Sequence, residues 1–73
     1  MKLRVLLENV TVQGSVAVVE WKDDTENVLF ATDDFEGRAH NIDEPVLDRE
    51  ILYIFPVMLS YPTLKIEVRA EEE

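Results

Sequence analysis

The side chains best suited to chemistry lie in the middle of the chain. Asp33, Asp34 and Glu36 precede Gly37, which matches a fragment of a calcium-binding loop. A complete loop needs oxygen ligands at alternate positions and a closing Glu, and the neighbouring residues do not continue the pattern. The segment is typical of a solvated acidic loop. We therefore predict no metal site and no cofactor.

His40 is the single histidine, the residue type that exchanges protons near neutral pH. With Ser15 or Ser60 and a carboxylate it could form a catalytic triad. No nucleophile motif and no glycine-rich oxyanion or phosphate loop accompanies it. The irregular segment around His40 indicates an exposed side chain. We expect a non-enzymatic protein whose activity survives the substitution His40→Ala.

Asp48, Arg49 and Glu50 form a charged cluster just before the most apolar stretch of the chain. The guanidinium of Arg49 could hold two carboxylates at once. One interpretation is an ordinary surface ion pair, worth about 0–1 kcal/mol. The other is that Arg49 contacts a partner protein.

The net charge of −9 is unevenly distributed. Residues 23–50 carry ten acidic against two basic side chains, whereas residues 1–22 are slightly basic. Such a surface repels nucleic acid and anionic membranes and attracts basic protein surfaces. We therefore predict a protein partner with a basic surface. The predicted partner-binding residues are Asp23, Asp24, Glu26, Asp33, Asp34, Glu36, Asp48 and Arg49.

The length of 73 residues predicts one small domain, residues 1–70, followed by an acidic tail, residues 71–73. A chain of this size buries only about 60% of its unfolded surface, and the absence of Cys excludes disulfides. The chain has a basic start, but the apolar run that follows is broken at Glu8, which argues against a signal peptide. The longest apolar run, Ile51 to Leu59, is too short for a membrane span. We expect a cytoplasmic protein of a bacterial host.

The first residues match two periodicities. Leu3, Leu6, Leu7 and Val10 share one face of a helix, whereas alternate residues from Leu3 to Leu7 also fit a strand. We predict a short helix that ends near Glu8 or Asn9. The alternative, a strand over residues 2–8, would give a small all-β barrel.

The remainder of the chain predicts about four strands, mostly antiparallel, and an α+β class. A turn at Gln13–Ser15 precedes a strand at Val16–Lys22, and the loop Asp23–Asn27 leads to a strand at Val28–Thr32. Asp43 as N-cap and Pro45 in the first turn predict a short helical turn.

The last two strands, Ile51–Leu59 and Leu64–Arg69, are predicted to form the hairpin at the centre of the sheet, joined by the turn Ser60–Thr63. The continuous apolar run suits a strand covered on both faces. Pro56 within it indicates a bulge or a free edge.

The same apolar run predicts self-association. Alternation places Ile51, Tyr53, Phe55 and Val57 on one face, opposite Leu52 and Ile54. A domain with a single helical layer can bury only one of these faces. We therefore predict a homo-oligomer, most simply a dimer. The predicted self-association residues are Tyr53, Phe55 and Val57.

Five short segments resemble a known layout: Lys2–Glu8, Asp23–Asn27, Val28–Phe30, Val46–Ile54 and Leu64–Val68. They are similar to short uncharacterised reading frames of Firmicute phages and mobile elements, in which a Leu-Leu-Asp-Arg-Glu-Val-like segment precedes the last hairpin. The resemblance implies a mobile-element context, in which small acidic proteins often inhibit host defence, anti-CRISPR proteins among them. It transfers no activity to any residue.

Charge and context together predict an inhibitor that occupies a basic, nucleic-acid-binding site on a target protein. Two other functions remain open. One is a structural or assembly protein that acts as a homo-oligomer. The other is an oligomeric sponge that holds a small ligand between its subunits.

Overall fold

A computed structural model describes residues 1–9, 12–36 and 42–71, and within these ranges the chain forms two helices and a four-stranded open sheet. In chain order the elements are α1 (Leu3–Asn9), β1 (Gln13–Lys22), β2 (Thr25–Glu36), α2 (Glu44–Leu47), β3 (Ile51–Met58) and β4 (Pro62–Val68). The predicted α+β class with a short N-terminal helix is confirmed. The barrel alternative is wrong, because residues 3–9 are helical and the sheet does not close.

The sheet has the strand order β2-β1-β4-β3. Two antiparallel hairpins, β1–β2 and β3–β4, meet through a parallel central pair, β1 with β4. Val16 pairs with Leu64 and Glu20 with Val68 along that central ladder. The prediction that the second hairpin occupies the centre is therefore correct for β4 only, and β3 lies at an edge.

The first hairpin has a two-residue turn. Asp23 and Asp24 have φ angles of 56° and 60°, as a type I′ turn requires, and Thr25 already belongs to β2. The predicted five-residue loop Asp23–Asn27 is wrong in length, because Asp tolerates the left-handed conformation and permits the tighter turn. The predicted turn Gln13–Ser15 is the start of β1, where Gly14, at φ 93°, accommodates a local distortion.

Register shifts in the described strands occur on the two edge strands. On β2, Asp33 and Asp34 lie opposite the single residue Ser15, and Leu29 is an extra residue further along. On β3 the extra residue is Leu52. Bulges twist an edge strand and discourage pairing with another chain. The edge position of β3 also explains how the strand accommodates Pro56.

The core lies between the helices and one face of the sheet. Leu3 and Leu7 of α1 and Val46 and Leu47 of α2 are buried in one cluster with valines of the sheet. Phe35 and Phe30 add an edge-to-face pair with ring centroids 6.1 Å apart. The sheet residues of this cluster belong mainly to the two central strands: Val16, Val18, Ile66 and Val68.

Helix α2 begins where the sequence predicts. Asp43 occupies the N-cap position with an extended backbone, and proline lies in the first turn. The predicted coverage of β3 on both faces is wrong, because no residue of Ile51–Met58 is fully buried. Neither of the described helices, α1 and α2, has the combination of length and apolar character needed to cross a membrane.

Candidate functional site

One face of the sheet lies opposite the helices. Strand alternation and the cross-strand pairs place on this open face the side chains that point away from the core. We use the name open face for this set: Ser15, Ala17, Val19, Trp21, Glu26, Val28, Ala31, Tyr53, Phe55, Val57, Thr63, Lys65 and Glu67.

The open face has apolar side chains along both flanks. Tyr53 on β3 is 63% exposed, and Val28 on β2 and Trp21 on β1 are 60% and 50% exposed. Phe55 and Val57 are half-buried beside Tyr53. The structure thus brings the three predicted self-association residues together on one uncovered surface and adds Trp21 and Val28, which the sequence did not suggest.

The predicted face of Ile51 is wrong. Ile51 pairs with Val68 and packs against the helix-side core, whereas Tyr53 pairs with Glu67 on the open face. The extra residue Leu52 lies between them and breaks the alternation. A bulge of one residue reverses the face of every side chain on one side of it.

An ion pair spans the centre of the open face. Lys65 Nζ on β4 lies 2.9 and 3.0 Å from the two carboxylate oxygens of Glu26 on β2. The pair crosses β1 diagonally at Val19, which is fully buried although no helix lies above it. The aliphatic part of Lys65 therefore covers apolar surface, and the centre of the face carries little net charge.

A cleft of about 500 Å³ lies at one end of the open face, between the β2 bulge and the β3–β4 loop. Asp33 lines it from one side, and the exposed Leu59 and Tyr61 line it from the other. Its floor includes Ser15 and Thr63, whose hydroxyl oxygens are 2.8 Å apart. Hydroxyl, carboxylate and aromatic groups thus converge on one open depression.

The predicted acidic surface divides into two separate patches. Asp23 and Asp24 form the turn at one end of β2, and Asp33 and Asp34 form the bulge near its other end. Nine residues of strand place these pairs roughly 25–30 Å apart, well beyond the screening length of about 8–10 Å. The structure therefore brings together the members of each pair but does not bring the two pairs together.

Two further residues of the predicted partner-binding set already bond basic side chains within the same chain. Glu26 bonds Lys65, and the Asp48 carboxylate accepts a hydrogen bond of 3.2 Å from Arg4 Nε. Arg4 also bonds Glu44, and these two contacts join α1 to α2 and raise the pKa of Arg4. The side chain of Glu36 lies outside the described residues.

Arg49 has a partner that the sequence did not reveal. Its guanidinium bonds the carboxylate of Glu20 on β1, and its Nη2 lies 3.3 Å from Glu71 Oε2. The side chains of Arg49 and Glu20 are 15% and 12% exposed, so the interpretation as an ordinary surface pair is wrong. Arg49 does hold two carboxylates, but its contact with a partner protein stays a prediction.

The sequence around Glu20 contains a signal that this side chain needs a partner. Val16, Val18 and Glu20 share one face of β1, so a charged residue continues a buried apolar stripe and needs a counter-ion. Asn27 Nδ2 donates a second hydrogen bond of 3.2 Å to this carboxylate. Hydrogen bonding from Arg49 lowers the pKa of Glu20 and outweighs the burial that would raise it.

The N-terminal ammonium completes the internal ion pairs. It lies 2.8 Å from Glu50 Oε2, and this hydrogen bond lowers the pKa of Glu50. Among the described residues, the acidic side chains without an in-chain cation are then Glu8, Asp23, Asp24, Asp33, Asp34, Asp43 and Glu67.

The candidate metal and triad residues are only partly described. Within residues 1–9, 12–36 and 42–71, no group of three acidic side chains is arranged as metal ligands. Gly37 and His40 lie outside these ranges. Ser15 bonds the hydroxyl of Thr63, and Ser60 lines the cleft. The described residues thus place both serines near Asp33 without assembling a catalytic geometry.

No protein family, no characterised protein and no solved structure shows significant similarity to this chain.

Proposed function

We propose that the chain is a non-enzymatic protein-binding module, in which Asp33 and Asp34 contact a basic surface of a partner protein. The observation that supports this function best is the separation of the acids into two classes. Glu20, Glu26, Glu44, Asp48, Glu50 and Glu71 bond cations of the chain itself. Asp33 and Asp34 are exposed and have no such cation within the described residues.

The cleft beside Asp33 and Asp34 favours this pair as the partner site over the turn pair, Asp23 and Asp24. Asp33 lines this cleft together with Leu59 and Tyr61, which are both exposed. A cleft lined by both a carboxylate and an aromatic side chain suits an Arg or Lys side chain, which can bond the acid with its charged end and pack its stem on the ring. The partner thus offers a basic side chain to the cleft.

The mobile-element context implied by the resemblance narrows the class of partner. A basic protein surface in that context is the nucleic-acid-binding site of a host defence protein. The acids occupy that site in place of phosphates, and the chain acts as an inhibitor. The function as an assembly protein is the second candidate, and the exposed apolar flanks of the open face favour it.

Two variants that remove equal charge test this function. Asp33→Asn with Asp34→Asn removes the pair beside the cleft, and Asp23→Asn with Asp24→Asn removes the turn pair, where Asn also accepts the left-handed backbone. The immobilised wild-type chain captures proteins from a bacterial host extract, and calorimetry then measures each purified partner against both variants. We expect the cleft variant to lose about tenfold or more in affinity and the turn variant to lose little.

Salt separates specific contact from general attraction. Affinity should fall as ionic strength rises, because exposed charges are screened. Equal loss in both variants, or an affinity independent of salt, would remove Asp33 and Asp34 from the partner site.

A further inference from the structure

The open face carries apolar surface but little net charge. Val28 and Tyr53 are more than half exposed on the two edge strands and Trp21 is half exposed near the end of β1, whereas Glu26 and Lys65 neutralise each other across β1. Glu67 is the remaining charged member of the face. Most of the net charge of −9 therefore lies elsewhere, and a second acidic chain can approach this face without strong repulsion.

The dimensions of the face suit a second copy of the chain. Its strands contain 7 to 12 residues. Strands about 4.8 Å apart with a rise of about 3.3 Å per residue give roughly 500 Å² per copy, or about 1,000 Å² for a pair. That area lies at the lower limit of specific interfaces and corresponds to a weak, reversible dimer.

We propose that two copies pack their open faces together about a two-fold axis that runs parallel to the strands, so that Val28 of each copy contacts Tyr53 of the other. This inference is independent of the proposed partner site. The cross-strand pairs give one row across the sheet, in the order Val28, Val19, Glu67, Tyr53. The axis reverses the row in the second copy and sets the two exposed ends of the row against each other.

The next row supports the same axis. It reads Ala31, Ala17, Lys65, Phe55, with two small residues at one end and a ring at the other. Reversal places Phe55 of each copy over Ala31 of its partner, where large and small side chains interdigitate. Glu67 then faces Val19. An axis across the strands would instead place each strand over its own copy, so Val28 would not meet Tyr53.

The absence of Cys from the chain permits a direct test by disulfide crosslinking. The single variants Val28→Cys and Tyr53→Cys are mixed at equal concentration, oxidised mildly, and analysed by mass spectrometry, which separates the mixed dimer from each symmetric one. We expect the mixed product to predominate, because a disulfide needs Cβ atoms about 4 Å apart. A predominance of Val28→Cys self-crosslinks would overturn the proposed axis.

Sedimentation equilibrium tests the dimer itself without Cys. The wild-type chain should approach dimer mass at about 100 µM, and more so at higher salt, because screening weakens the repulsion between two acidic copies. Val28→Glu and Tyr53→Glu should each weaken the dimer about tenfold or more. Met58→Glu is the control, because Met58 is 74% exposed but pairs with Pro62 on the other side of the sheet.

Circular dichroism verifies that each variant keeps its fold. Wild-type monomer mass throughout this range, or equal dissociation by the Met58→Glu control, would overturn the proposal. The salt dependence also separates this contact from the basic partner, whose affinity should change in the opposite direction.

Discussion

Lys65 on β4 bonds both carboxylate oxygens of Glu26 on β2 across the intervening strand β1, at 2.9 and 3.0 Å. The bonded pair covers Val19, which is fully buried on the face that lies opposite the helices. A charged pair thus takes the place of a covering helix at the centre of this face. Val28 and Tyr53 on the two edge strands remain exposed, and exposed apolar side chains grouped on one face are typical of contact surfaces.

The Lys65–Glu26 pair should contribute a small coupling energy. A double-mutant cycle with Lys65→Met and Glu26→Gln should give about 0.5–1 kcal/mol, because both side chains are only partly buried. Lys65→Met keeps the aliphatic cover of Val19, whereas Lys65→Ala removes it and should cost more. Urea unfolding of the four proteins measures the coupling. Similar losses for Met and Ala would show that charge, and not cover, is the main contribution of Lys65.

Glu20→Gln should destabilise the fold. The substitution keeps the side-chain shape but removes the charge that Arg49 and Asn27 bond, at an expected cost of about 1–3 kcal/mol in the free energy of unfolding. Glu8→Gln is a matched control on an exposed residue and should change stability by less than about 0.5 kcal/mol. Chemical denaturation compares the two. Equal stability of both variants would show that the Glu20–Arg49 pair makes no net contribution.

The carboxylate of Glu20 should also make the stability of the fold depend on pH. The pKa of Glu20 is lowered in the folded chain, so the folded state binds fewer protons than the unfolded state. Its contribution is complete above about pH 4.3, the ordinary value for Glu, and is lost as pH falls through the lowered pKa. Thermal unfolding between about pH 3 and 6 should show a shallower decline for Glu20→Gln than for wild type. Parallel curves would contradict this assignment.

The β1–β2 turn offers a stabilising substitution. Asp24 has a φ of 60°, and Asp-Gly is a preferred pair for a type I′ turn. Asp24→Gly should stabilise the fold by about 0.4–1 kcal/mol, because Gly adopts this backbone without strain. Asp24→Asn removes the same charge and should give a smaller gain. The denaturant midpoints of the wild type and both variants measure these differences in stability. A loss of stability for Asp24→Gly alone would show that the turn gains nothing from glycine.

Pro56 should protect the β3 edge. A proline at an edge strand lacks the N–H group that a further strand would bond. Pro56→Val should therefore increase aggregation, measured by light scattering against protein concentration. Pro62→Val is the control, because Pro62 begins β4, which already has a neighbour on each side. Similar aggregation of both variants would argue against edge protection by Pro56.

Local pattern in the sequence was sufficient to predict several elements. The apolar positions of α1, the Asp43 and Pro45 start of α2, and the alternation of β4 depend on residues a few positions apart. Helix and strand periodicity act over that range, so these elements follow from the sequence. The uneven distribution of acids was equally visible, and it led to the candidate partner residues.

The tertiary structure alone decided which strand lies at the centre, which acids stay uncompensated, and which face each side chain of β3 occupies. Glu20 bonds Arg49 across a sequence separation of 29 residues, and Glu26 bonds Lys65 across a separation of 39 residues. No local pattern encodes these pairings. The bulge at Leu52 moved Ile51 to the core and left Tyr53 exposed. A strand alternates with period two, so one extra residue exchanges its faces, and only the partner strand fixes where that residue falls.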